Sequence, residues 1–178
     1  MLRICLVMLA GLAVTMLAAG PVAAEKVEVK GPHICCKQCV KVVGGLLGKV
    51  DGVSDAACDI TSKTVTFTAK DGAAAKAGIK ALIDGGFFGS AVCDDKEVKI
   101  DLPAVKKGDK ADKVAVQNVH VCCGQCEKAI NKIFADAKVT FTDRKGPQRT
   151  VRIEGTGLDR GEVIEALKKA GFYGSLEK

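Results

Sequence analysis

The sequence predicts an α+β protein of two tandem ferredoxin-like β-α-β-β-α-β sandwiches after a cleavable signal peptide. Three observations predict it. The stretch His33-Ile34-Cys35-Cys36-Lys37-Gln38-Cys39 recurs as His120-Val121-Cys122-Cys123-Gly124-Gln125-Cys126, at an offset of 87. Around each copy, short alternating apolar runs and longer amphipathic runs follow one another in the same order. A polar stretch rich in Lys and Asp separates the copies.

The chain of 178 residues opens with a segment that reads as a targeting signal. Met1-Leu2-Arg3 supplies a positive start, Ile4 to Ala19 is apolar, and Pro21-Val22-Ala23-Ala24 offers small residues for cleavage after Ala24. Residues 1–24 are therefore expected to be removed and the protein exported, periplasmic or secreted. An uncleaved anchor is the competing reading, the apolar run being near the lower limit for a span. Cys5 lies inside the apolar run, away from any lipidation point.

The first sandwich is expected over 25–93. Val27 and Val29 alternate on a strand that Gly31-Pro32 ends, and the first cysteine cluster follows in a loop. Val40, Val43, Leu46, Leu47 and Val50 recur at helical spacing from Lys37. Gly44, Gly45 and Gly48 weaken that helix by about 1 kcal/mol each relative to Ala, so it needs tertiary packing. Asp51-Gly52 turns the chain. Ala56, Cys58 and Ile60 alternate on a second strand, with Cys58 a small buried hydrophobe. Val65 and Phe67 follow on a third strand after a tight connection. Asp71 is a plausible N-cap of a second helix that turns Ala73, Ala77, Leu82 and Ile83 inward. Gly85-Gly86 end it, and 87–92 read as the closing strand.

A charged linker is expected over 94–112, with Val98, Ile100 and Leu102 able to extend the sheet edge. The second sandwich is expected over 113–178. Val114 and Val116 mirror the first strand, and Ile130, Ile133 and Phe134 stand at the offset positions of Val43, Leu46 and Leu47. Val139 with Phe141, then Val151 with Ile153, give two strands around the loop 143–147. Asp159 can cap a helix bearing Val163, Ile164 and Leu167, and Gly171-Phe172-Tyr173-Gly174-Ser175 matches Gly86-Phe87-Phe88-Gly89-Ser90. Each copy is near the size at which one core is marginal. Two helices on one face of a four-stranded antiparallel sheet bury it economically, and this element order is that of a ferredoxin-like sandwich.

Composition narrows the function. Loss of Arg3 lowers the formal charge from +6 to +5, and the lysines are scattered among acids. With one Tyr, six Phe and no Trp there is little surface for stacking bases, so nucleic acid is not an expected partner. No Ser/His/Asp set, pair of catalytic acids, phosphate loop or dinucleotide fingerprint is present, so the chain reads as non-enzymatic.

Six of the nine cysteines and both histidines fall in the two clusters. A disulfide framework would spread cysteines along the chain, whereas adjacent cysteines do not easily bridge each other. If Cys36 and Cys123 end their loops and Cys39 and Cys126 lie on first helical turns, each pair of sulfurs converges where the helix N-terminus favours thiolate. Converging thiolates suit soft ions such as Cu(I) or Zn(II). Cys35 and Cys122 add a third thiolate to each site or stand beside it. His33 and His120 either complete a ligand set of three cysteines and one histidine or are exposed loop residues. Phe87 and Phe172 either shield the sites or pack the core, and Cys93 has no counterpart in the second copy. The competing reading is a thiol–disulfide oxidoreductase using the C-x-x-C pairs.

These residues carry a resemblance. Each copy resembles a heavy-metal-associated domain, the module of copper chaperones, periplasmic mercury-binding proteins and the N-terminal parts of metal-pumping ATPases. That family's loop reads Gly-Met-x-Cys-x-x-Cys. The pairs Cys36/Cys39 and Cys123/Cys126 match it, Ile34 and Val121 replace the Met, and Gly86-Phe87 and Gly171-Phe172 match the closing Gly-aromatic. Cys35 and Cys122 depart from the pattern and resemble the Cys-Cys start of some plant zinc-transporting ATPases. The resemblance implies a soft heavy-metal ion, Cu(I), Zn(II) or Hg(II), at up to one per domain. It also implies handover to a metal-transporting membrane protein or another metal-binding domain, the mature protein itself not being membrane-embedded.

Overall fold

The computed structural model describes residues 24–142 and 146–177. The signal-peptide expectation falls on 1–24 and so lies, but for Ala24, outside the described residues, as do 143–145 of the second-copy loop. Among the described residues no helix is long and apolar enough to cross a membrane.

Among the described residues the protein is α+β, with four helices and two antiparallel sheets. The N-terminal half runs β1 (Glu25–Lys30), α1 (Lys37–Leu47), β2 (Val53–Asp59), β3 (Thr64–Ala69), α2 (Gly72–Asp84), β4 (Ser90–Cys93) and β5 (Lys96–Glu97). The C-terminal half runs β6 (Lys110–His120), α3 (Gly124–Ile133), β7 (Lys138–Thr142), β8 (Gln148–Asp159), α4 (Arg160–Lys169) and β9 (Ser175–Leu176). The sheets are ordered β2-β3-β1-β4-β5 and β7-β8-β6-β9. Both orders put the first strand of a half between its third and its fourth, which is compatible with a ferredoxin-like fold.

Period-two burial fixes the inner face of each sheet. Val27 and Val29 on β1, and Val65, Phe67 and Ala69 on β3, are buried while their neighbours are not. α1 brings Val43 and Leu47 to that face, and α2 brings Ile79, Leu82 and Ile83. The Asp71 carboxylate caps α2 as expected, accepting from the Ala74 N–H at 2.8 Å. The inward face of α2 differs from the expectation: Ala73 and Ala77 are exposed, while Ala74, Ala75 and Gly78 are buried. Gly78 decides this. A Cβ there would stand 2.7 Å from the Phe67 ring, so the helix approaches the sheet along its glycine.

Two more expectations shift on β2. Asp59 ends the strand, because its carboxylate accepts from the N–H groups of Thr61 and Ser62 and turns the chain. Ile60 is left 37% exposed instead of alternating inward. Cys58, on this edge strand, is half-buried and packs against the margin of the core rather than inside it.

The segment 94–112 is partly ordered into the sheets. β5 pairs with β4, Val98 N–H donates to Ala91 O, and β6 begins at Lys110, three residues before Lys113. In the C-terminal half Val114, Val116, Val151 and Ile153 are buried under Ile130, Val163, Ile164 and Leu167. Asp159 caps α4 by accepting from Gly161 and Glu162 N–H. One continuous apolar cluster takes in both halves.

Candidate metal centre

The two loops that carry the cysteines are built alike. Cys36 is the N-cap of α1 and Cys123 that of α3, both with extended backbone, and neither side chain caps its own helix. Those sulfurs are thus free to face elsewhere. Cys39 and Cys126 lie in the first turns and are fully buried. Ile34 and Val121, in the positions before the clusters, are buried at 1% and 0% and anchor each loop in the apolar core.

The halves then meet face to face across these loops. Within the first loop, Cys39 Sγ lies 3.8 Å from Cys35 Sγ and 3.7 Å from Cys36 Sγ. Within the second, Cys126 Sγ lies 3.9 Å from both Cys122 Sγ and Cys123 Sγ. Between loops the approaches are as close: Cys35 to Cys126 at 3.6 Å, Cys35 to Cys123 at 3.7 Å, Cys39 to Cys122 at 3.5 Å and Cys36 to Cys122 at 3.8 Å. All six sulfurs therefore form one cluster, where one site per copy was expected. All eight described cysteines are free thiols. Cys58 and Cys93 do not join the cluster; the Cys93 thiol donates to the Glu25 carboxylate at 3.0 Å.

Reciprocal contacts between the halves hold the loops together. The His33 ring stacks on Phe172 and the His120 ring on Phe87, both at 4.2 Å between centroids. Each closing phenylalanine thus covers the histidine of the opposite half. Phe87 and Phe172 also form an isolated antiparallel bridge. The Gly171 carbonyl accepts from His33 N–H at 2.9 Å and Phe88 N–H at 3.0 Å, while the Gly86 carbonyl accepts from Tyr173 N–H at 3.0 Å. Gly86 and Gly171 both have positive φ. A Cβ on Gly86 would collide with the backbone of Asn118 and His120, and one on Gly171 with that of Gly31 and His33. Glycine is required at both positions for conformation and for space.

The histidines do not behave as exposed loop residues. His120 is 0% exposed, and neither of its ring nitrogens has a partner in good hydrogen-bond geometry, although the ring lies near enough to the Cys39 sulfur to favour its thiolate. His33 is half-buried, and its Nε2 is also buried without a partner. Buried polar atoms are almost always satisfied, so orphaned nitrogens beside sulfurs point to a cation as their partner. Three groups lie close enough to share a metal ion: Cys39, His120, Cys122 and Cys126; His33, Cys35 and Cys126; and Cys35, Cys36 and Cys123. Each group draws on both loops.

Electrostatics agree with a site that wants positive charge. The Cys39 thiol is held low, to about 2, first by its contact with Cys126, against the opposing effect of burial. Cys126 is pushed far up by the same contact and then by burial. The two titrate as a pair: one thiolate is favoured and a second is opposed. Burial is the first cause that raises Cys35 and Cys122. Burial also opposes ionisation of Cys123, but the nearby N–H groups of Cys126 and Gln125, together with the Cys35 and Cys36 thiols, outweigh it and bring the thiol to about 7. Burial lowers the His33 pKa and so favours the neutral ring that a metal requires. A cation among the sulfurs would offset the burial and the neighbouring thiolate charge that together keep Cys35, Cys122 and Cys126 protonated.

The spacing places the C-x-x-C sulfurs at helix starts, and the structure brings Cys35, Cys122, His33 and His120 to the same centre. What sequence reasoning missed is the meeting of the two loops. The repeated Gly-Phe was its one visible trace, since a glycine and an aromatic kept in both copies fit an interface made twice.

No family model matches the chain, and no curated protein matches it. Among solved structures it is similar to a Sxl-lethal protein/RNA complex, with 11% identity over 86% of this chain and 97% of that chain, at a TM-score of 0.27. A TM-score that low carries no argument about function.

Proposed function

We propose that the chain is an exported, non-enzymatic protein that carries or sequesters a soft heavy-metal ion of the copper, zinc or mercury class. In this reading residues 1–24 are a signal peptide, 25–93 and 113–178 are tandem heavy-metal-associated-like domains of ferredoxin-like fold, and 94–112 join them. The observation that carries the reading is the group of six free thiols at 3.5–3.9 Å with the partnerless, fully buried His120 against them. Four thiolates at about 2.3 Å around one tetrahedral ion stand roughly 3.8 Å apart. The separations of neighbouring sulfurs match that spacing pair by pair. The partner supplied or relieved of metal would be a metal-transporting membrane protein or another metal-binding domain.

Native mass spectrometry of the reduced chain from Glu25 onward, with Cu(I), Zn(II) and Hg(II) in turn, tests the proposal. Retention of at least one of these ions is expected. Serine at 36, 39, 123 and 126 together should abolish it, while Cys58→Ser leaves it unchanged. A reduced chain that retains none of the three ends the reading.

The lowered Cys123 thiol, at about 7, favours a second reading, thiol–disulfide exchange. Insulin reduction measured with and without a chelator separates them. A carrier shows no turnover in either condition, and an oxidoreductase turns over in both.

A further inference from the structure

The six sulfurs do not divide by loop. Their contacts form a zigzag strip in the order Cys36, Cys122, Cys39, Cys126, Cys35, Cys123, alternating between the loops at every step. At each end of the strip is a closed triangle. One joins Cys36, Cys39 and Cys122, with sides of 3.7, 3.5 and 3.8 Å. The other joins Cys123, Cys126 and Cys35, with sides of 3.9, 3.6 and 3.7 Å. The two triangles share no sulfur. Each consists of one loop's C-x-x-C pair and the leading cysteine of the opposite loop.

We propose that the protein holds two three-thiolate metal sites across the interface, each C-x-x-C pair being completed in trans by Cys122 or Cys35. The inference rests on the soft-metal reading above and specifies how that metal is held. The point equidistant from the three sulfurs lies about 2.1 Å from each in the first triangle and about 2.2 Å in the second, close to the ~2.3 Å of a metal–thiolate bond. An ion slightly out of either plane meets that length without moving any backbone. The leading cysteine's own pair is served less well: Cys35 makes a close contact with Cys39 but reaches Cys36 only within 4.8 Å, whereas Cys122 closes on Cys36 at 3.8 Å, and Cys122 contacts Cys126 but makes no such contact with Cys123.

The histidines follow the same exchange. His120 Nδ1 and Nε2 are partnerless, and His120 lies within ligand reach of two sulfurs of the first triangle, Cys39 and Cys122, and of one of the second, Cys126. His33 lies in the same way against Cys35 and Cys126 in the second. Each triangle therefore has beside it the imidazole of the loop that lends its leading cysteine. Flat three-sulfur sites suit Cu(I), a soft d10 ion that soft thiolates select. Zn(II) would recruit the imidazole as a fourth donor. Either way, loading clamps the halves together, and unloading requires the loops to part.

The test uses Cu(I) and the reduced chain from Glu25, which contains every described element. The intact chain is expected to bind two Cu(I), with sulfur coordination near three by X-ray absorption. Replacing Cys36 and Cys39 with Ser leaves the Cys123/Cys126 pair and one ion. On that background, Cys35→Ser should weaken Cu(I) by more than roughly a hundredfold, since even changes outside the ligand shell cost ten- to a hundredfold. Cys122→Ser on the same background should weaken it at least tenfold less than Cys35→Ser does. The opposite ranking, in which Cys122 supports its own loop's pair, overturns the inference, and so does equal indifference to both. Single Cys35→Ser and Cys122→Ser variants, which keep both pairs, guard against misfolding: each should drop sulfur coordination at one of two ions and retain both. An intact chain that binds no soft metal defeats the underlying reading instead, which distinguishes the two failures.

Discussion

His120 sits at 0% exposure with both ring nitrogens unpartnered. A buried polar group in that state costs about 1–3 kcal/mol. His120→Phe removes that penalty and keeps a ring to stack on Phe87. It should raise the midpoint of thermal unfolding of the metal-free protein and lower that of the metal-loaded one. Scanning both forms with and without a chelator checks the pair of signs. Cys123 makes a separate prediction. Its thiol ionises at about 7, well below Cys58 and Cys93, which burial pushes up to about 11. Alkylation of metal-free protein near neutral pH should label Cys123 well before Cys58 and Cys93, with a rate that rises as pH passes about 7. The sign for stability follows. A thiol with a depressed folded pKa contributes stability that is complete above the ordinary value of 9.0 and is lost as pH falls through about 7.

At the level of elements, the sequence was informative wherever local chemistry decides. Asp71 and Asp159 cap the helices they were expected to cap, and the C-x-x-C pairs stand at the starts of α1 and α3. It misled where packing decides. Alanine and glycine look alike to an amphipathic count, so nothing in 72–84 reveals that Gly78 faces Phe67 and turns Ala77 outward. Likewise the alternation through Ile60 takes no account of the Asp59 turn. Gly86 and Gly171 are where element and interface meet. Gly86→Ala or Gly171→Ala should cost at least about 1 kcal/mol from the left-handed backbone alone. The collision with the opposite half adds to that. Either variant should therefore also expose the buried Cys39 and Cys126 to alkylating reagents, whereas Gly108→Ala, in the connecting segment with open space around it, should not. Urea unfolding together with thiol labelling reads both effects.

Over the whole molecule, duplication was legible in the sequence and its consequence was not. Two copies of a cysteine loop suggested two sites and left open whether these act separately or meet across one ion, because a repeat seen along a chain says nothing about how its copies face each other. The structure brings the loops together through reciprocal contacts: His33 on Phe172, His120 on Phe87, and each closing glycine against the other half's backbone. The leading cysteines, hard to place as third ligands within their own loops, have neighbours in the opposite one. The most direct test of a joint metal centre is anomalous diffraction from crystals of the chain loaded with copper or mercury. The account predicts strong peaks among the six sulfurs of Cys35, Cys36, Cys39, Cys122, Cys123 and Cys126, at bonding distance from sulfurs of both loops. Peaks confined to sulfurs of a single loop, or found only at surface sites, would contradict it.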